Sequence, residues 1–130
     1  MAPLRLTLPF VVLAFCIIGC GSGSKNTLKK GDIVVLEETM RERAETQWAD
    51  SYTDGFTTEL PKGTKLEVLY TPAPAAQVFE CRPIEVNGKK TPEEVEEFFV
   101  PEHIRNKEGY ISYVFALNKA DLGTKIKKVQ

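Results

Sequence analysis

A thiol and an imidazole are the first side chains in this sequence that could do covalent chemistry together. Cys81 is one of three cysteines and His103 is the only histidine. Nucleophilic catalysis by such a pair needs the two within hydrogen-bond reach and a third group to orient the base. Cys81 alternates with Phe79 on an apolar face, where a cysteine behaves as a small hydrophobe. His103 follows Pro101-Glu102 at a helix exit, a common place for an exposed or capping histidine. The sequence therefore predicts no catalytic role for either residue, and no enzyme. A second group is Glu93, Glu94, Glu96, Glu97, Glu102 and His103. A metal site built from oxygen ligands needs carboxylates that converge on one point. The four helix glutamates, Glu93, Glu94, Glu96 and Glu97, spread around a helix whose other face is apolar, and acids in a first turn are favoured by the helix dipole. They read as a solvated face, so neither a metal nor a cofactor is expected. A third group is Trp48, Tyr52 and Phe56, four residues apart in a charged stretch. They are the candidate ligand surface, because Trp and Tyr offer large rigid contact area with a polar handle. Their competing role is packing beneath the chain, which the usual burial of large aromatics favours.

The remaining chemistry is at Cys20. Residues 1–20 carry a single positive charge, Arg5, then an apolar run from Leu6 to Ile18, then Gly19-Cys20. One charge, an apolar run and a small residue before a cleavage point form a secretory signal pattern. Gly21-Ser22-Gly23-Ser24 ends the run before it reaches the length of a membrane-spanning helix. Ile17-Ile18-Gly19-Cys20 resembles the lipobox of bacterial lipoproteins, in which a branched apolar residue, a tolerant position and Gly or Ala precede an obligatory Cys. The resemblance implies cleavage between Gly19 and Cys20. It also implies a diacylglyceryl thioether on Cys20 and acylation, such as with palmitate, of the new amino terminus. Two or more acyl chains anchor stably where one does not, so the membrane is the first expected partner. Gly21 rather than Asp follows the lipidated Cys. In a two-membrane bacterium that is compatible with transport to the outer membrane, facing the periplasm. In a one-membrane bacterium the same anchor places the chain on the outer face of the cell membrane. Cys16 leaves with the signal and Cys20 is lipidated, so Cys81 has no disulfide partner within the mature chain.

At 130 residues the chain has room for one domain. Residues 1–19 read as cleaved signal, 20–28 as lipidated Cys and flexible tether, and 29–130 as the folded domain. A net charge of −1 excludes an electrostatically driven nucleic-acid binder, for which a basic domain is expected.

The elements that must position these residues follow from pattern. Ile33-Val34-Val35-Leu36 is a β-branched run and reads as a buried strand. Over residues 37–60, Met40, Ala44 and Trp48 fall at helical spacing; a short helix and a long irregular hairpin fit equally well. Residues 65–71 alternate, with Leu66, Val68 and Tyr70 on one face. A strand follows from Val78 to Val86, in which Pro83 marks a bulge or an unpaired edge. Asn87-Gly88 is a strong hairpin-turn signal. Thr91-Pro92-Glu93-Glu94 starts a helix with a capping box, and Val95, Phe98 and Phe99 make its apolar stripe before Pro101 stops it. Residues 110–117 alternate as a strand, Asn118 to Gly123 form a single helical turn, and Thr124 to Val129 make a last strand.

With that order in hand, Leu60-Pro61-Lys62-Gly63-Thr64-Lys65-Leu66-Glu67-Val68-Leu69 resembles the entry to the second strand of Src-homology-3-like small barrels. Those barrels also carry a one-turn helix before their last strand. The resemblance implies a mainly β, five-stranded small barrel with one short inserted α-helix at about 92–100. In peptide-binding members, aromatics of the long first loop line a groove for extended ligands, and Trp48, Tyr52 and Phe56 fall there. Two departures limit the likeness. The loop holding the helix is longer than the tight turn of the family, and residues 72–77 lack the acidic character of a peptide groove. The expected function is a membrane-anchored bacterial envelope lipoprotein with a non-catalytic module for a protein, peptide or cell-wall ligand such as peptidoglycan. The alternative is a structural or assembly accessory subunit of an envelope complex.

Overall fold

The computed structural model describes residues 27–50, 54–71 and 76–129. The expected signal segment, the expected cleavage point at Gly19-Cys20, the expected lipidation site Cys20, and Tyr52 lie outside the described residues. Among the described residues the chain is mainly β. Its strands are β1 (Ile33–Leu36), β2 (Met40–Trp48), β3 (Asp54–Leu60), β4 (Lys65–Tyr70), β5 (Val78–Glu85), β6 (Tyr110–Asn118) and β7 (Ile126–Lys128). Two short helices, α1 (Pro92–Phe99) and α2 (Glu102–Arg105), lie between β5 and β6, and a 3-10 turn (Lys119–Asp121) precedes β7. The strands form one antiparallel sheet in the order β3-β2-β6-β5-β4-β1-β7. The sheet is not closed: no pairing joins β3 to β7 among the described residues.

This corrects the five strands expected from the sequence to seven. The two additional strands come from residues 37–60, which form a regular antiparallel hairpin with Met40 opposite Leu60 and Thr46 opposite Asp54. The short-helix alternative is thereby excluded. Met40, Ala44, Thr46 and Trp48 are buried and their neighbours point outward, the period of a strand. Met40, Ala44 and Trp48 alone cannot tell the two structures apart, because a spacing of four returns to the same face in both. Thr46 and the half-buried Glu42 are the polar residues on the inward side that hide the alternation. The hairpin also needs Gly55. A Cβ there would lie 2.5 Å from the carbonyl oxygen of Ala44.

One cluster of buried side chains draws on both end strands, with Phe56 and Leu60 from β3 and Ile126 from β7. The sheet therefore curves around a common core, in which Phe79, Phe115, Leu36, Leu66 and Leu117 are the largest fully buried side chains of the central strands. Burying each such side chain contributes about 1.5–3 kcal/mol. At the edge, Lys128 on β7 approaches Asp32 at 3.4 Å, and the same carboxylate accepts from the Lys29 backbone N–H at 2.9 Å.

The turns follow their residues. Asn87 and Gly88 take positive φ, 47° and 83°, and the Val86 and Lys89 backbones exchange hydrogen bonds across them. Thr91 caps α1 by accepting from the Glu94 N–H at 3.2 Å, and Pro92 occupies the first turn. The helix ends before Pro101, as the sequence predicts, but the chain then turns again into α2, whose Ile104 is buried. Val95 and Phe99 enter the core, whereas Phe98 is 38% exposed. The expected three-residue stripe is therefore two residues, and the apolar surface is completed by Val100 and Ile104 instead.

Candidate functional site

The expected aromatic surface is built differently from a loop platform. Trp48 ends β2 and Phe56 lies on β3, and they are 8% and 7% exposed. The Trp48 indole N–H donates to Thr46 Oγ1 at 2.7 Å, and that hydroxyl donates to the Asp54 carbonyl at 2.9 Å. Trp48 meets Tyr110 edge-on with centroids 5.7 Å apart, and the Lys107 ammonium sits 5.6 Å from the indole centroid. Phe56 packs against Tyr113 and Phe115, both at 6.3 Å. The structure thus places Trp48 and Phe56 in the core cluster.

Cys81 and His103 are not brought together as a reactive pair. Cys81 is fully buried on β5, with Sγ 3.8 Å from the Phe115 carbonyl oxygen. Burial, followed by the nearby charges of Glu42 and Glu80, pushes its thiol far above the ordinary range, the opposite of an activated thiolate. His103 is exposed on α2. Glu93, Glu94, Glu97 and Glu102 are exposed. No three His, Cys, Asp or Glu side chains gather as a cation site among the described residues.

A cleft of about 340 Å³ opens elsewhere on the surface, between the β4–β5–β6 region and the first turn of α1. It forms because β5 and β6 part company. They pair from Val78↔Asn118 to Cys81↔Phe115 and no further, while β6 keeps pairing with β2 as far as Tyr110. Beyond Cys81, the β5 chain carries a bulge: Leu66 faces Pro83 and Lys65 faces Glu85, which leaves Ile84 unpaired. Proline removes a ladder donor and suits such a position, as the sequence predicts for Pro83. The bulge leaves Ile84 at the cleft, 36% exposed.

Arg82 occupies the fork. Its Nε donates to the Tyr113 carbonyl at 2.8 Å, and its guanidinium carbon lies 5.8 Å from the Tyr113 ring centroid. Glu67 is directly opposite Arg82 in the β4–β5 register, yet no ion pair joins them among the described residues. Across the cleft, Glu96 on α1 accepts from the Tyr110 hydroxyl at 2.6 Å. Burial, then that bond and the carboxylate charge, push the Tyr110 phenol far above its ordinary value. Lys90 and Ser112 complete the polar lining. Sequence reasoning missed this group. The only signal for it was Pro83, which marked a bulge or an unpaired edge without its consequence.

Compared with known proteins, the chain matches no family model, no curated protein and no solved structure. No helix among the described residues is long and apolar enough to cross a membrane.

Proposed function

We propose that this chain is a bacterial envelope lipoprotein, held to a membrane by lipid on Cys20, whose β domain is a non-catalytic binding module. The observation that carries the reading is Ile17-Ile18-Gly19-Cys20 after a short apolar run with one leading charge. The domain already includes Leu28, which is buried in its core, so the expected tether of residues 20–28 shortens by at least that residue and the reading keeps a brief linker between lipid and domain. The finer fold reading is an elaborated Src-homology-3-like small barrel. Strands β1, β4, β5, β6 and β7 follow one another as in that family, with a 3-10 turn before the last and the β2–β3 hairpin inserted after the first. The deep burial of Cys81 removes it as a candidate nucleophile.

Intact mass of the protein extracted from membranes tests the anchor. The expected species begins at Cys20 and carries the mass of a diacylglyceryl group, with or without a further acyl chain. A mass equal to the unprocessed chain, or a cleaved chain with an unmodified thiol at Cys20, refutes the reading. Cys20→Ala is expected to abolish acylation while leaving the β domain folded.

A further inference from the structure

We infer that the fork between β5 and β6 is a binding site for a short extended peptide with a free carboxyl terminus; the inference rests on the binding-module reading and names its ligand class. Three features of the cleft converge on that chemistry.

The first is the backbone. On the side facing β5, residues 111–113 of β6 have no strand partner among the described residues, because the ladder stops at Cys81↔Phe115; the Tyr113 carbonyl is taken by Arg82 Nε, so the edge open to a ligand lies at Ile111 and Ser112. An extended peptide satisfies an open strand edge with its own main chain. The second is charge. Arg82 is held in place by Tyr113, so only its Nε is engaged, and its terminal nitrogens have no ion-pair partner among the described residues. An arginine pinned in this way presents a preorganised fork to a carboxylate. Lys90 adds a second cation at the same cleft. Glu67, also in the lining and without an ion pair among the described residues, is placed to receive a ligand ammonium. Glu96 is already committed to Tyr110, which fixes the helical wall. The third is shape. Ile84, thrust out by the bulge, and Pro92 give an apolar surface for small side chains, in a volume of about 340 Å³, at the lower end of what ligand sites occupy. A dipolar ligand with a central backbone matches all three; a purely anionic or purely apolar one leaves either Glu67 or Arg82 unanswered.

The test is calorimetric titration of the mature lipidated protein in detergent micelles with trialanine carrying free termini, alongside its C-amidated and N-acetylated forms. Trialanine is expected to bind at millimolar or lower concentration. Amidation or Arg82→Gln is expected to weaken binding at least about tenfold, the scale of one lost charge-assisted hydrogen bond. Acetylation or Glu67→Gln is expected to weaken it less. Because Arg82→Gln also removes the bond to Tyr113, the exposed Lys90→Gln serves as the second variant; it is expected to weaken trialanine and leave the amidated peptide unchanged. No heat with trialanine, or equal affinity for the free and amidated forms, overturns the inference. Chemical crosslinking in intact envelopes separates this from failure of the broader reading. A specific partner crosslinked to a protein that ignores trialanine overturns the cleft assignment alone. No crosslinked partner and no peptide binding overturn both.

Discussion

The Tyr110 hydroxyl on β6 donates to the Glu96 carboxylate on α1 at 2.6 Å, and this bond fastens the helix beside the place where β5 parts from β6. The same tyrosine ring packs edge-on against Trp48. One residue therefore joins the helix, the central strand and the end of the hairpin. Tyr110→Phe keeps the ring and removes the bond. It is expected to lower stability by about 1 kcal/mol, since both partners are partly solvated, and urea unfolding measures it.

Alkaline pH is expected to unfold the domain early. Cys81, Tyr110 and Tyr113 all have their neutral forms favoured by burial, so each folded group holds its proton above its ordinary value. The unfolded chain releases those protons first, at about pH 8.5 for the thiol and about 10 for the phenols. Stability contributed by these groups is intact below that window and declines as pH rises through it. Urea midpoints should fall from about pH 9 upward. Tyr110→Phe is expected to flatten that decline; an unchanged slope refutes the assignment.

Glu42 gives the opposite experiment. It points inward from β2, and burial first, then Asp121, raises its carboxyl above the usual value, with Lys125 acting against them. A raised carboxyl binds its proton more readily in the folded state, so ionisation at neutral pH works against the fold. Glu42→Gln is expected to raise the urea midpoint at pH 7. The advantage should shrink as pH falls and the wild-type carboxyl protonates. A variant less stable than wild type at neutral pH counts against this account.

The two phenylalanines of α1 are expected to separate cleanly. Phe99 is 3% exposed and meets Phe115 at 6.1 Å, whereas Phe98 is 38% exposed. Phe99→Ala should cost about 3–5 kcal/mol, a large part of the stability of so small a domain. Phe98→Ala should cost about 1 kcal/mol, mostly through its edge contact with Phe99. Thermal melts decide it; equal losses would mean that Phe98 is packed.

Trp48 is the single tryptophan, and its emission reports on the end of the hairpin. A ring 8% exposed with its N–H held by Thr46 should emit to the blue and resist quenching by iodide. Thr46→Val removes the hydroxyl that accepts from the indole N–H and donates to the Asp54 carbonyl, and should destabilise the domain by about 1–3 kcal/mol. A red-shifted, readily quenched emission in the wild type would instead show the ring in water.

Much of the fold was legible in local pattern. Ile33–Leu36, the alternation of Lys65–Tyr70 and of Tyr110–Leu117, Asn87-Gly88, and the Thr91 cap with Pro92 each state their own conformation, because steric preference and capping act within a few residues. The β2–β3 hairpin was legible only as one of two alternatives, the other being a short helix. Its inward positions include Thr46 and Glu42, which are tolerated only because Asp54 accepts the Thr46 hydroxyl and the Glu42 carboxyl is partly solvated. Those compensations come from other parts of the chain.

The sequence by itself determined the positions of most strands and turns, and marked Pro83 as a bulge or an unpaired edge. Each depends on residues that are neighbours in the chain. Only the tertiary structure decided which side chains meet. It set Arg82 opposite Glu67 without joining them, ended the β5–β6 ladder at Cys81↔Phe115, and drew Trp48 and Phe56 into the core. Register and strand parting depend on long-range pairing and on how a curved sheet closes over one core. Those are energies of the whole packed domain, and no window of sequence contains them.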